Sequence, residues 1–378
     1  MFRGTWASRP WKVLSVHSQV TISHLVHACA LIVYPRRDIL SMDGRSIVLH
    51  HVARTLAEMD LSVEFSTRDG FATHEFLESQ KEVRSIADRR VREDYSIVWT
   101  SSPASLRSLR RAFPTAFIVL GLNDLKTSMA VDRLYREVTY LPDVGRILKS
   151  ILRIPVTLVR ETRSYRLANM IHVQTEKDAR IGNVIYRDKF VAVMNGVNIK
   201  SSVARKPVSS FDVTVYGVFE GLRKREASCV IKKILESGRS VELLGSGSAE
   251  LGTELGLEFF ENVQDITAFL STRRVVVIPT DHGTGVVNRV LDCVNATAPF
   301  VTFRRTLATA SFLELDPALH SVLDLSQFDK RLAAMENERE GVQLALVRSA
   351  TLLRSWGQFR SELSAYLACH LEVGEAVR

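Results

Sequence analysis

Short apolar runs alternate with amphipathic stretches along most of this chain. Cys29–Tyr34, Ser62–Thr67, Tyr95–Trp99, Thr115–Leu120, Met170–Gln174 and Val191–Met194 have strand length and strand pattern. Between the first two, Val48, Leu49, Val52, Leu56 and Met59 recur at helical spacing behind a Ser41-Met42-Asp43-Gly44 turn. Ala104–Ala112 reads as a basic helix. The second half repeats the scheme, with strands at Val213–Tyr216, Val241–Leu244, Val275–Pro279 and Phe300–Phe303. Its helices fall at Glu226–Ser237, Ile266–Leu270 and Val286–Asn295. Apolar strands separated by helices predict parallel sheets covered on both faces. The polar stretch Ser201–Ser210, which contains Pro207, reads as a linker. The expected architecture is α/β, two facing doubly wound (Rossmann-like) domains with a ligand cleft beyond the carboxyl ends of their strands.

A length of 378 residues suits two such domains, and 46% apolar with 24% charged residues is the composition of a globular chain. Four cysteines stand far apart, with no CxxC and no Cys/His cluster, which argues against a disulfide scaffold or a structural zinc site. Val13–Pro35 carries no formal charge, yet Ser15, His17, Ser18, Gln19, Ser23, His24 and His27 dilute it. A secretory core or a spanning helix would be more uniformly apolar. Residues 1–27 are therefore expected to be an extension preceding the first buried strand. The net charge is +8, and the window Lys81–Arg166 alone holds 17 basic and nine acidic residues, the whole of that surplus. A basic zone of this kind attracts phosphate or anionic lipid. No interleaved aromatic stripe or recognition motif speaks for nucleic acid.

The glycine-rich turns carry the candidate chemistry. Gly245-Ser246-Gly247 follows a strand, as a dinucleotide fingerprint would, but the third glycine position is Glu250, so the NAD reading fails. His282-Gly283-Thr284-Gly285 lies between a strand closed by Pro279 and a helix, where free backbone N–H groups and the helix dipole favour a phosphate. Gly285, Asn288 and Asp292 fall on one face of that helix, and a carboxylate there suits the vicinal hydroxyls of a ribose. Gly217 opens a strand-end loop that reaches Arg223, Lys224 and Arg225, three consecutive cations facing the same cleft.

In this order the pieces resemble the GT-B retaining glycosyltransferases, in particular the large family 4 group. The stretch Val275–Val301 is similar to that family's strand–Pro, Gly-x-Gly turn, acid-bearing helix and following strand. Ala168–Asp178 and Val191–Asn198 resemble its segment before the domain crossover, and Trp356 sits in a stretch resembling the helix that returns to the first domain. The resemblance implies residues 28–202 as an acceptor domain, 203–355 as a nucleotide-sugar domain and 356–378 as a returning helix. It assigns Asp43, Gly44, Gly217, Gly245, Gly247, His282, Gly283, Thr284, Gly285, Asn288 and Asp292 to the donor, with Asp292 on the ribose. It assigns Arg223 or Lys224 to the diphosphate. It places Asp124, beside Asn123 where the family commonly has histidine, among the catalytic candidates.

The chain departs from the family pattern at four points: His282 stands where the first of two glutamates is usual, Asp292 replaces the second, Val287 stands where relatives with Gly-Thr-Gly-x-Lys-Asn have lysine, and Asn123 stands near the usual first-domain histidine. The function so implied is transfer of a sugar from a UDP- or GDP-linked donor to a lipid-linked or polysaccharide acceptor. Retention of configuration is implied by the resemblance alone. No Asp-x-Asp occurs in the chain, and neither metal nor cofactor is expected. The expected setting is cytoplasmic, with peripheral contact to an anionic membrane and no nucleic-acid partner. A non-catalytic GT-B partner of an active enzyme, or a nucleotide-sugar epimerase, are the alternatives.

Overall fold

The computed structural model describes residues 29–34, 44–67, 83–85, 95–122, 124–140, 143–187, 189–199, 209–283 and 287–376. The predicted extension, Asp43, Asn123, Thr284, Gly285 and most of the predicted linker lie outside them.

Strands β1 (Cys29–Tyr34), β2 (Ser62–Thr67), β3 (Val83–Ser85), β4 (Tyr95–Thr100), β5 (Phe117–Gly121), β6 (Met170–Val173) and β7 (Phe190–Ala192) form one parallel sheet. Its order is β3-β2-β1-β4-β5-β6-β7. Its connecting helices are α1 (Gly44–Glu58), α2 (Leu106–Ala112), α3 (Lys126–Tyr140), α4 (Val144–Tyr165) and α5 (Glu176–Tyr186). The positions read at helical spacing, Val48, Leu49, Val52, Leu56 and Met59, are all buried under one face of the sheet. Leu106, Leu109 and Tyr165 pack under the other.

The second sheet is also parallel, in the order β10-β9-β8-β11-β12-β13. Its strands are β8 (Val213–Tyr216), β9 (Val241–Leu244), β10 (Glu258–Phe260), β11 (Val275–Ile278), β12 (Phe300–Phe303) and β13 (Ser321–Val322). Around it lie α6 (Gly221–Glu236), α7 (Ser248–Leu255), α8 (Ile266–Ser271), α9 (Asn288–Asn295), α10 (Arg304–Ala308), α11 (Pro317–His320), α12 (Phe328–Asn337) and α13 (Arg339–Ala350). Both sheets reverse strand order at the first strand of the set, β1 or β8, and such switch points are where doubly wound sheets bind ligands.

The last helix, α14 (Trp356–Ala376), buries Phe359, Leu363 and Leu367 in the core of the first sheet. Trp356 stacks on His51 of α1 with ring centroids 4.0 Å apart. Where the chain crosses, Val197 bridges to Ser355, and a Cβ at Gly196 would stand 2.4 Å from the Trp356 backbone nitrogen. That close approach is available only to glycine.

Three sequence expectations are corrected. Arg223, Lys224 and Arg225 occupy the first turn of α6 rather than a loop, because the Glu220 carbonyl already accepts from the Arg223 and Lys224 amides. Helix α9 begins at Asn288, not Val286. The C-terminal half of the basic zone, for which no element was expected, forms the long helices α3 and α4. Among the described residues, no helix is long and apolar enough to cross a membrane.

Candidate active site

A cleft of about 870 Å³ opens where the strand ends of the two sheets face each other. Ser101 follows β4, and Gly121, Leu122 and Asp124 follow β5 on the first-domain wall. Val218, Glu220 and Arg223, from the turn after β8 and the start of α6, form the opposite wall. Lys126, Arg133 and Arg136 of α3 and Arg153 of α4 add cations to the lining. Five cations against the two carboxylates Asp124 and Glu220 make the cleft an anion acceptor.

Arg223 and Asp124, predicted separately, meet in this cleft. Burial, then the neighbouring Arg289 and Arg136, pull the Arg223 guanidinium below its ordinary pKa, against the opposing charges of Glu226 and Asp124. Arg223 and Arg289 of the second domain thus stand close to Arg136 of α3. Like charges held together in a partly desolvated place leave anion-binding capacity unused. Lys224, one residue on, points elsewhere: its Nζ lies 2.8 Å from both Glu250 and Glu254 on the outer surface. Consecutive helical residues diverge by about 100°, so only one of the pair reaches the cleft.

Gly217 and the Gly245–Gly247 turn serve packing. Gly217 donates its N–H to the Leu244 carbonyl at 2.9 Å. Gly245 has φ +119°, and a Cβ on it would come 2.1 Å from the Gly217 oxygen. The amide of Gly247 donates to Glu261 at 3.0 Å, and Ser246 donates to Glu220 at 2.7 Å. Gly44 opens α1.

The turn after β11 departs most from expectation. The amide of Gly283 was expected to be open to a phosphate. Instead it donates to Oδ1 of Asp132, on α3 of the first domain, at 2.9 Å. The same carboxylate faces Nδ1 of His282 at 3.1 Å, Nη2 of Arg305 at 2.6 Å and Nε of Arg136 at 3.1 Å. Burial raises the Asp132 pKa, but the hydrogen bond and charge of His282, with Arg136 and Arg305, outweigh it and hold the carboxyl below its usual range. Lys177 of α5 reaches the Gly283 carbonyl at 3.1 Å. An internal anion therefore occupies part of the turn read as a phosphate site, and it ties the two domains together there.

Beside this cluster Arg136 also pairs with Glu226 at 3.2 Å. Burial dominates at Glu226, with Asp281 and Asp132 adding to it against Arg136, and its pKa is pushed up to about 7. Among the described residues, Glu226 Oε2 and Arg289 Nε are buried without a hydrogen-bond partner. Such atoms are rare in native interiors and mark places where a ligand or solvent completes the bonding.

Asp292 lies half-buried on α9, one turn after the exposed Asn288. It accepts a 2.8 Å hydrogen bond from the Tyr216 hydroxyl at the end of β8. Burial raises its pKa to about 6, with Tyr216 and Arg289 pulling the other way. Arg289 in turn lies over the Tyr216 ring, 5.4 Å from its centroid. The sequence reading missed Asp132, Arg136, Glu226, Arg289 and Arg305. Arg289 was within reach, since it sits between Asn288 and Asp292 in the most motif-like stretch. The others become visible only when α3 is placed against the second domain.

No family model and no curated protein matches the sequence. Solved structures do resemble the fold. HepE (Alr3699) of Anabaena, solved with UDP-glucose, superposes with a TM-score of 0.63 at 12% identity, covering 91% of this chain and all of that one. A glycosyltransferase of Rickettsia africae gives 0.61 at 11% identity over 92% of this chain and 98% of its own. TarM of S. aureus gives 0.51 at 13% identity over 74% of this chain and 55% of its own. The two facing parallel sheets are thus the GT-B fold.

Proposed function

We propose that this chain is a glycosyltransferase that moves a sugar from a nucleotide-sugar donor, UDP-linked in the first instance, to a lipid-linked or polysaccharide acceptor with retention of configuration. One observation carries the reading: a cationic cleft at the facing switch points of a GT-B fold, with Arg223 on the second-domain wall, Arg289 close behind it, and Lys126, Arg133, Arg136 and Arg153 from the first domain. That HepE and TarM were solved with UDP or UDP-glucose supports UDP as the first donor base to test.

The roles follow from charge. Cleaving a sugar–phosphate bond builds negative charge on the leaving diphosphate, and Arg223 with Arg289 meets it in place, without reorganisation. We assign the diphosphate to these guanidiniums rather than to the Gly283 amide, which Asp132 holds. Asp292, as carboxylate, accepts the ribose hydroxyls beside Tyr216. Asp124 faces Arg223 across the cleft, next to the reacting carbon and the acceptor bound along the first domain. We further assign the chain to family 4, acting without a metal, the arginines supplying the positive charge. The held Gly283 amide favours a second reading, a non-catalytic GT-B partner, and one experiment separates the two.

Thermal unfolding is followed with UDP, GDP, ADP and UDP-glucose. A ligand of the folded state raises the midpoint with concentration. A UDP-dependent rise is expected, weakened about tenfold in apparent affinity by Asp292→Ala and more by Arg223→Gln. Because the Asp292 carboxyl takes up its proton near pH 6, the UDP effect should shrink as pH falls through that value. Absence of any shift with all four would sink the transferase reading in favour of the partner.

A further inference from the structure

Helix α4 is built inside out. Its inward side carries Ser150, Glu161 and Tyr165, all buried. Its outward side carries Val144, Leu148, Ile151, Leu152, Val156 and Val159, all exposed, Val144 at 81% and Leu152 at 61%. A soluble helix ordinarily does the reverse. The inversion is fixed by satisfied bonds. Glu161 accepts from the Lys126 amide at 2.6 Å, the Thr127 amide at 3.1 Å, the Thr127 hydroxyl at 2.5 Å, Tyr165 at 2.5 Å and Tyr186 at 2.7 Å. Glu137 of α3 receives Ser150 and, at 2.8 Å, Arg133. With both carboxylates paired, the helix has no reason to turn over, and its apolar side stays outward.

Charge flanks that side. At about 100° per residue the six apolar positions fill one arc of roughly 140°. Arg146, Lys149, Arg153, Arg160 and Arg163 fill the adjoining arc of about 100°. A pocket of about 280 Å³ between α3 and α4 is lined by Arg133, Arg146, Lys149 and Arg153 together with Glu137 and Ser150. Arg153 and Thr157 also line the main cleft, so the cationic edge of the helix runs on to its mouth. An apolar stripe beside a cationic stripe, on a helix unable to span, is the pattern of a helix lying in a bilayer interface. A second copy of this chain suits the face less well, because two such cationic stripes would repel.

We propose that the outward face of α4 docks the chain on an anionic lipid bilayer, the apolar residues entering the headgroup boundary and the arginines meeting lipid phosphates. This goes beyond the transferase reading and stands independently of it. The cleft then opens at the lipid surface.

The full chain is floated with vesicles of phosphatidylcholine alone and of phosphatidylcholine with about a third phosphatidylglycerol. Binding is expected to the anionic vesicles, and to fall as salt rises. Leu148→Gln/Leu152→Gln/Val156→Gln should weaken it about tenfold or more, and Arg146→Glu/Lys149→Glu/Arg160→Glu should abolish the preference for phosphatidylglycerol. The thermal unfolding midpoint without ligand checks that each variant is folded, and the UDP shift reports the other reading separately. A chain that shifts with UDP yet floats with neither vesicle overturns the docking alone. Variants that bind like the parent overturn it too, as does a dimer, seen by sedimentation, that the triple Gln variant disperses.

Discussion

Helices α9 and α4 are both strongly amphipathic and face opposite ways. On α9, Val290, Leu291, Cys293 and Val294 are buried in the second core, while Asn288 is exposed. On α4 the fully buried positions, Ser150, Glu161 and Tyr165, all bear polar groups, with Leu158 packed partly beside them, and the exposed ones are the aliphatic stripe and the cations. Periodicity therefore establishes a helix and its stripe, but which stripe faces inward depends on whether buried polar groups find partners. On α9 burial is driven by removal of apolar surface from water. On α4 a carboxylate with five donors anchors the inward side, and the apolar surface is left for something outside the chain.

The largest effect should come from removing that anchor. Glu161→Ala leaves the Lys126 and Thr127 amides and the Tyr165 and Tyr186 hydroxyls without their acceptor. Loss of about 3–5 kcal/mol is expected in urea or thermal unfolding, the scale for stripping a buried charged hub from its partners. Leu291→Ala, the apolar counterpart on α9, should cost about 2–4 kcal/mol through a cavity. If Glu161→Ala is the milder of the two, packing rather than the carboxylate orients α4.

The same contrast explains what was legible in the sequence. Every strand of the second domain that was read there lies within a residue of its expected bounds, as at Val213–Tyr216 and Val241–Leu244, because a buried parallel strand is an apolar run and little else. Helix α9 stood out for a similar reason, Pro279, glycine and Asp292 being punctuation in an apolar context, but the helix begins two residues later than expected and the Gly283 amide before it is held by Asp132. Helices α3 and α4 did not stand out. Their dense charge hid the 3.6-residue period, and Pro155 interrupts it. Both Arg223, singled out in a basic run after a strand, and Asp124, singled out by the family resemblance, line the cleft. Asp132 and Arg136 are an i, i+4 pair on α3, but Asp132 meets Gly283 and Arg305 only through contacts between residues 151 and 173 positions apart, for which no local pattern exists.

Buried carboxylates give the comparison a second, smaller test. Asp132 is held below its usual range by its partners, whereas Glu226, with an unpartnered oxygen, is pushed up to about 7. The folded state keeps the Glu226 proton where the unfolded chain, near 4.5, has lost it. Its contribution is thus fully present below pH 4.5 and is lost as pH rises through about 7, on the order of 2–3 kcal/mol in all. Glu226→Gln should therefore flatten this part of the pH–stability curve, with a net gain at pH 8 and little change at pH 5. A variant whose pH–stability curve runs parallel to the parent's between pH 5 and pH 8 would place the Glu226 carboxyl among the satisfied ones.

The smallest effect is the most telling. Leu152→Gln replaces an exposed leucine on α4 by a polar residue with good helix propensity. In buffer its unfolding free energy should stay within about 0.5 kcal/mol of the parent, the range of surface changes that touch no special feature. The equivalent change on α9, Val290→Gln, buries an amide without partners and should cost several times more. A near-zero result at Leu152 means that the chain alone gains nothing from its aliphatic stripe, so any use of that stripe lies in contact with another surface. A loss above about 1 kcal/mol would mean that Leu152 is packed within the folded chain, and the inversion that separates α4 from α9 would disappear.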